Sequence, residues 1–514
     1  MGIPAYTKRL LLNNTSACNA PSRIDHLFLD FNGMIHPSSH KVINAIHESS
    51  GRMPSRKEIT RQIVDQILSD MESLISDLGP LKTLYIAIDG VAPFAKMYQQ
   101  RLRRFAACES PTRHIFDSNA ITPGTEFMKI LSRNLAQRLV EMMERGVPYK
   151  IILNDWTSPG EGEHKIMDYI RTHDLSNDNS VLFGLDADLV MLTLAIMNMH
   201  SAHGTGHLYI GRHEQDPRLI DQFGPLNYID MERIRQVVIH DFAAQTNTSA
   251  SLNRIVLDYI FLSFLGGNDF VPTTPCAMIG CGGLDRLLSK YWEYMKSGAE
   301  PLTRWSLNQK YHVPNWPSVI IFLNTHVTPF EEEWARSNIQ KIAARRTREL
   351  PFSDPVNFLD PSDWYYRYNQ VFEMDDAVCE RYFQSLEWVL LYYTTGCNVP
   401  DFRQMYGSIH APSVRHMVSY LAKVPRSHVE WTGKPPCTPE QQLYCVLPST
   451  SAHLVKDAKC RMLMTQFKSP IAHLMKNPPT WYTGYCTALW HRRVAFPAFT
   501  FDQMLCVREE YMKS

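Results

Sequence analysis

Seven acidic residues, Asp30, Asp89, Glu161, Glu163, Asp186, Asp188 and Asp269, stand in LDFNG, IDG, SPGEGEHK, GLDADL and GGNDF, each beside a glycine or at the end of an apolar run. Gathering so many carboxylates in a folded interior is costly through mutual repulsion unless divalent cations neutralise them. An all-oxygen ligand set suits Mg²⁺, with Mn²⁺ as a substitute, rather than zinc. Two such ions about 4 Å apart can act on a phosphodiester, one turning water into hydroxide and the other stabilising charge on the departing 3′-oxygen. No nucleophilic side chain is then needed. Each motif alone has a plainer reading. Aspartates beside glycines are commonly turn residues or helix caps, Glu161 and Glu163 suit the first turn of a helix beginning near Pro159, and Asp186 with Asp188 suit a loop before the helix LVMLTLAIM. Only the joint pattern points to a metal site.

A second group of residues suits phosphate. Pro93 fits a first helical turn, and Phe94 to Ala107 reads as an amphipathic helix. At about 100° per residue, Lys96, Gln100, Arg103 and Arg104 share one face while Phe94, Tyr98, Leu102 and Phe105 share the opposite one. Guanidinium groups match phosphate oxygens bidentately, and a glutamine donor among fixed cations suits a terminal phosphate. A basic face is more often simply solvated, but this helix begins four residues after Asp89, which places phosphate beside metal.

Both groups need a scaffold that brings distant segments to one edge. Between about 24 and 275, β-rich runs alternate with helical patterns, the habit of an α/β domain with a largely parallel central sheet flanked by helices. The runs are His26–Asp30, Thr83–Asp89, Tyr149–Asn154 and Ser180–Asp186, three of which end on aspartate. Aspartate is disfavoured inside strands, so these carboxylates are expected at the carboxyl edge, where open α/β sheets place ligands. The expected organisation is a nuclease-like unit over 1–300, an irregular Pro-, Asn- and Arg-rich connection over 301–362, and a mainly helical region over 363–514 containing the apolar helix Tyr382–Tyr393.

Composition bounds the rest. The 514 residues are 44% hydrophobic and 20% charged, which suits a large globular core. Fifty-two basic and 52 acidic residues cancel, so a polyanion must be met by a local patch rather than by the overall field. The 11 cysteines lack any zinc or disulfide spacing, which points to a reducing compartment. The opening MGIPAYTKRLLLNNTS has no leader-like apolar core, and no run of about 18 apolar residues follows, so a soluble intracellular protein, cytoplasmic or nuclear, is expected, with no membrane partner. Arg345-Arg346-Thr347-Arg348 reads as a solvated loop rather than a nuclear signal.

The motifs MGIPAY, LDFNGMIH, DGVAPFAKMYQQRLRRF, DSNAITPGTEFM, SPGEGEHKIMDYIR, GLDADLVML and FLGGNDFVP resemble, in order, those of the eukaryotic XRN family of 5′→3′ exoribonucleases. A weaker likeness continues through YFQSLEWVLLYYTTGC, PEQQLYCVLP, FKSPIAHL and AFPAF, the family's second shared region. The resemblance implies a PIN/FEN-like nuclease core closed over by the helical region, and a monomer acting on single-stranded RNA bearing a 5′-monophosphate. It implies that the seven carboxylates bind metal, that Lys96, Gln100, Arg103 and Arg104 form the 5′-phosphate pocket, that Asn32 is a polar neighbour of the metals, and that His36 stacks on the terminal base. Phe94 and Tyr98 depart from the arginine and asparagine expected in the basic helix. The tryptophan expected opposite His36 is also missing from Asn398–His410, where Phe402 or Tyr406 can substitute, since stacking needs only an aromatic face. Two competing functions remain open. A 5′ flap or 5′→3′ DNA exonuclease has a related carboxylate-ringed site, and a catalytically silent RNA-binding relative would have lost metal ligands.

Overall fold

The computed structural model describes residues 17–18, 20–49, 52–186, 188–199, 204–213, 226–246, 252–308, 310–345, 368, 375–424, 429–431, 433–475, 480–482, 493–497 and 499–513. The MGIPAY motif, Arg346 to Arg348 and the end of the expected connection at 346–362 lie outside the described residues. In chain order the first part comprises β1 (Ala17–Cys18), β2 (His26–Asp30), α1 (Asn32–Glu48), α2 (Arg56–Leu78), β3 (Thr83–Ala87), α3 (Phe94–Ala106), α4 (Glu126–Glu144) and β4 (Lys150–Asn154). There follow α5 (Gly162–Thr172), β5 (Asn179–Phe183), α6 (Asp188–Met197), β6 (His207–His213), β7 (Leu226–Asp230), α7 (Met231–Thr246), α8 (Leu252–Phe264) and α9 (Gly283–Lys296).

The strands form a seven-stranded sheet ordered β1-β7-β6-β5-β2-β3-β4. Neighbours from β6 to β4 are parallel, while β7 and β1 add an antiparallel edge. The four expected runs are its central and flanking strands β2, β3, β4 and β5. Both sheet faces are covered, as a parallel sheet requires, so alternate residues serve two cores. Leu27, Leu29, Leu84, Ile86, Val181 and Phe183 pack towards α1, α2 and α4. Phe28, Tyr85, Ala87 and Leu182 join a core that includes α5, α6 and α8. Asp30 pairs in register with Ala87, and Leu29 with Phe183, so the carboxyl ends of β2, β3 and β5 are level.

The segment expected to be an irregular connection contains regular structure instead. It holds a hairpin, β8 (Thr303–Ser306) with β9 (Tyr311–Pro314), then α10 (Trp316–Phe322), which runs through a π-helical turn at Leu323–Val327 into α11 (Thr328–Arg345). Two of its residues that read as irregular suit a helix start instead: Asn315 precedes α10 and Pro317 lies in its first turn. Buried Trp316, Val319, Phe322 and Trp334 put it in the same core as the sheet. The region beyond is mainly helical, as expected, with α12 (Asp376–Thr395), α13 (Val414–Lys423), α14 (Pro439–Val446), α15 (Ala458–Thr465), the short pair β10 (Thr480–Tyr482) and β11 (Arg493–Ala495), and α16 (Phe501–Lys513). No helix among the described residues is long and apolar enough to cross a membrane.

The two ends of the chain share cores rather than meeting at a seam. The core on the α5 face of the sheet extends without a break to Phe383, Trp388, Tyr392 and Met417 of α12 and α13. On α3, Phe94, Met97 and Phe105 are buried among Leu443, Leu463, Val494 and Phe501. Between them Arg101 is wholly buried, donating to the carbonyls of Cys445 and Leu474, with its guanidinium 4.5 Å from the Phe105 ring and 4.7 Å from that of Phe496. Burial depresses this guanidinium to about 10. Arg101→Ala should cost about 3 kcal/mol in a denaturant titration, because two buried carbonyls lose their donor. Residues 1–300 alone should fail to give a cooperative thermal transition, since their α3 and sheet surfaces would lie bare. A soluble fragment with a sharp melt would show that the shared cores are dispensable.

Candidate active site

Asp30 is the last residue of β2, Asp89 lies two residues beyond β3, and Asp186 follows β5, so the level strand ends deliver all three to one edge. Two helices then aim their N-termini there. Glu161 occupies the N-cap position of α5 with Glu163 in its first turn, and Asp188 opens α6, where the partial positive charge of the helix end favours carboxylates. Asp269 comes from the loop after α8, whose turn is shaped by the Asn268 side-chain oxygen accepting from the Phe270 and Val271 amides.

The loops carrying these groups are zipped together. Gly90 donates to the Gly160 carbonyl, and Gly160 donates to that of Val91. The Asp89 carboxylate accepts from the Gly162 amide at 2.7 Å and from Asn32 Nδ2 at 2.9 Å, while the Asp89 amide donates back to Asn32 Oδ1 at 3.1 Å. Lys165, buried beneath, donates to the carbonyls of Ile88 and Asp155. A Cβ on Gly90 would lie 1.8 Å from the Ser158 carbonyl oxygen, and one on Gly162 would lie 2.9 Å from Asp30 Oδ1. The spacing of SPGEGE thus follows from loops too close for side chains.

Lys96 enters this ring from α3. Its ammonium is 2.6 Å from Glu161 Oε2 and 2.8 Å from Asp269 Oδ2, with all three side chains buried. Burial would depress the Lys96 ammonium, but Asp269, Glu161, Glu163 and Asp186 outweigh it and hold it well above the usual lysine range. Burial, reinforced by Asp89 and Asp186, pushes the Asp30 carboxyl well up. Burial and the charges of Asp186 and Asp269 do the same to Asp188. Burial also lifts Glu163, against the pull of Lys96, and raises Glu161 to about 7. The seven predicted carboxylates therefore form one electrostatically linked group.

The residues fit a cation. Glu163 Oε2 is buried without a hydrogen-bond partner among the described residues, as are both ring nitrogens of His164. Ligand atoms of Glu161, Glu163 and His164 lie within 4.8 Å of one another. A hard cation would answer the oxygen-rich donor set.

The phosphate candidates divide. Lys96 faces the carboxylates, and Gln100 accepts from Gln442 Nε2 at 3.1 Å, deep against α14. Arg103 is exposed. Arg104 is partly buried, donating to Thr122 Oγ1 and the Ile121 carbonyl. Burial, then Arg103, depresses Arg104 to about 9. His36 lies beside this pair on α1, its pKa depressed to about 3 by burial and by Arg103 and Arg104. Phe402 and Tyr406 are both buried. They are 6% and 4% exposed; the Phe402 carbonyl accepts from the Phe94 amide, and the Tyr406 hydroxyl donates to the His410 carbonyl. Neither ring is available for stacking in this arrangement.

Sequence reasoning missed the contribution of α12. The Tyr392 hydroxyl donates to Glu161 Oε1 at 2.9 Å, and its ring stacks on His164 at 3.6 Å. Nothing in the apolar run Tyr382–Tyr393 separates this tyrosine from its core neighbours.

Comparison with known proteins gives two family matches. The one described as "XRN 5′-3′ exonuclease N-terminus" covers residues 1–114 and 109–202, and the one described as "Xrn1 helical domain" covers 249–338 and 364–480. The chain is 32% identical over 341 residues to 5′-3′ exoribonuclease 2 of Arabidopsis thaliana, spanning 54% of this chain and 33% of that one. It is 34% identical over 335 residues to 5′-3′ exoribonuclease 2 of Gallus gallus, spanning 52% and 34%. It is 28% identical over 539 residues to 5′-3′ exoribonuclease 1 of Homo sapiens, spanning 87% and 30%. The matched region is thus about a third of each relative's length.

Gly90→Ala should destabilise the fold by about 2–3 kcal/mol, because the clash is with backbone that cannot swing aside. A wild-type melting temperature for that variant would mean that the two loops are not apposed in this way.

Proposed function

The chain belongs to the XRN 5′-3′ exonuclease family, and we propose that it hydrolyses single-stranded RNA bearing a 5′-monophosphate, releasing nucleoside 5′-monophosphates from that end. The observation that carries this reading is the placement of α3. One helix supplies Lys96 to the carboxylate ring and, two turns on, Arg103 and Arg104 beside His36. Seven residues of helix span about 10 Å, so a terminal phosphate held at Arg103 and Arg104 would lie roughly one nucleotide from the carboxylates. The names of the relatives, 5′-3′ exoribonucleases, agree with RNA as the substrate.

In this proposal Asp30, Asp89, Glu161, Glu163, Asp186, Asp188 and Asp269 hold two Mg²⁺ ions, for which Mn²⁺ can substitute. The ions would supply the positive charge that activates water and stabilises the departing 3′-oxygen. Asn32 and the Gly162 amide fix the rotamer of Asp89, and Lys165 fixes the carbonyl preceding it. Arg103 and Arg104, with Gln100 behind them, would bind the 5′-phosphate through charge-assisted hydrogen bonds. His36, kept neutral by its surroundings, offers a ring face to the first base without adding charge. A capped or triphosphate end would not fit a pocket made for a compact monophosphate. Each cut would present a new 5′-phosphate to the same pocket, which sets the direction.

Asp188→Asn should abolish hydrolysis of end-labelled RNA while RNA binding largely survives, because a metal ligand is lost and the basic face is not. Near-normal turnover at saturating Mg²⁺ would refute the assignment. End choice rests on the arginines, and Arg103→Ala is the cleaner test because Arg104 also braces the Thr122 loop. Charge-assisted bonds are worth about 1.5–3 kcal/mol, so Arg103→Ala should cut the preference for 5′-monophosphate over 5′-hydroxyl RNA about tenfold or more. Combining it with Arg104→Ala should remove most of what remains. An undiminished preference would leave Arg103 merely solvated.

A further inference from the structure

Both carboxylate oxygens of Glu161 are held by partners from other elements. Oε2 takes the Lys96 ammonium from α3, and Oε1 takes the Tyr392 hydroxyl from α12. Each oxygen keeps a second lone pair for another partner. The plane of the carboxylate is thus set by two elements that lie outside its own loop. Tyr392 is in turn held rigidly. Its ring is sandwiched between His164 at 3.6 Å and Trp388 at 4.9 Å, with interplanar angles of 22° and 24°, and Phe270 meets it edge-on. The Trp388 indole is itself pinned by donation to the Asp401 carbonyl at 2.7 Å. An ionised carboxylate can only accept, so the Tyr392 hydroxyl is the donor in this contact.

A stack of this kind is more than packing needs. A phenylalanine would fill the same volume, and the hydroxyl would have no purpose in an apolar core unless it had a partner. Its partner is a carboxylate that the proposed function assigns to metal. Hydrogen bonds to metal-ligating groups orient them, and their loss typically lowers metal affinity 10- to 100-fold.

We propose that Tyr392 is a positioning residue: held in the Trp388–Tyr392–His164 stack, its hydroxyl orients Glu161 for divalent-cation binding, so that the helical region completes the metal site. This inference rests on the metal reading of the carboxylates. The cation affinity of the site would thus be set partly by α12, more than 200 residues from Glu161 in the chain.

The test is calorimetric titration of Mn²⁺ into the 514-residue chain without RNA, for wild type, Tyr392→Phe, Glu161→Gln and the double variant. Tyr392→Phe keeps the stacked ring and should melt within about 3 °C of wild type. It should weaken Mn²⁺ binding by about tenfold or more. In the Glu161→Gln background the same change should have little further effect, because the residue through which it acts is already altered. Activity of Tyr392→Phe should recover as Mn²⁺ is raised, with affinity for RNA unchanged. Wild-type Mn²⁺ affinity in Tyr392→Phe, or an equal loss in both backgrounds, would overturn the inference while leaving the metal reading in place. Failure of the wild type to bind Mn²⁺ would overturn both.

Discussion

The structure depends on the repulsion among seven buried or partly buried carboxylates and on what holds them against it. Like charges a few ångströms apart in a poorly solvated pocket disfavour their own ionisation, which is why burial and neighbouring charge push Asp30, Glu163 and Asp188 well above the ordinary carboxylate range. Carboxylates on mobile loops would move apart. Here they cannot, because they stand at level strand ends, on the first residues of two helices and on loops tied backbone to backbone. The architecture spends rigidity at this edge, and Lys96 contributes the balancing charge in direct contact.

This constraint explains why the helical region is built into the α/β unit. Lys96 reaches Glu161 and Asp269 because α3 lies along the edge of the site, and α3 lies there because its other side is embedded among Leu443, Leu463, Val494 and Phe501. Its first amide donates to the Phe402 carbonyl, and Arg101 to carbonyls of Cys445 and Leu474. From the other direction α12 extends the sheet's own core and ends against Glu161. A site that two regions finish from opposite sides is not one that either region owns.

The acidic edge was legible in the sequence because carboxylates that end apolar runs leave local marks. Apolar runs ending on Asp30, Asp89 and Asp186 gave strands and site together, and a helix read over Phe94 to Ala107 is observed over Phe94–Ala106. Long-range contacts left no such mark. Nothing near Gln100 foretells that Gln442 occupies its oxygen, and nothing in a run of core aromatics singles out Tyr392. Phe402 and Tyr406 are aromatic and close to an expected gap, but residue type does not reveal that both rings are buried. The hairpin and helices at 303–345 were obscured in part by Asn315 and Pro317, which lie at a helix start, where they suit regular structure rather than oppose it.

The embedding of α3 has a consequence for how the chain is made. Phe94, near the start of that helix, packs edge-on against Phe501, about 400 residues later, with ring centroids 5.2 Å apart. At translation rates of about 5–20 residues per second, roughly 20–80 s separate the appearance of the two rings. Throughout that interval a strongly apolar helix face and a buried arginine's future carbonyl partners wait for each other, on a nascent chain whose parallel sheet is itself slow to close. The helix that the proposed function assigns to the RNA end therefore carries an apolar face that stays uncovered through most of synthesis, a surface of the kind chaperones shield.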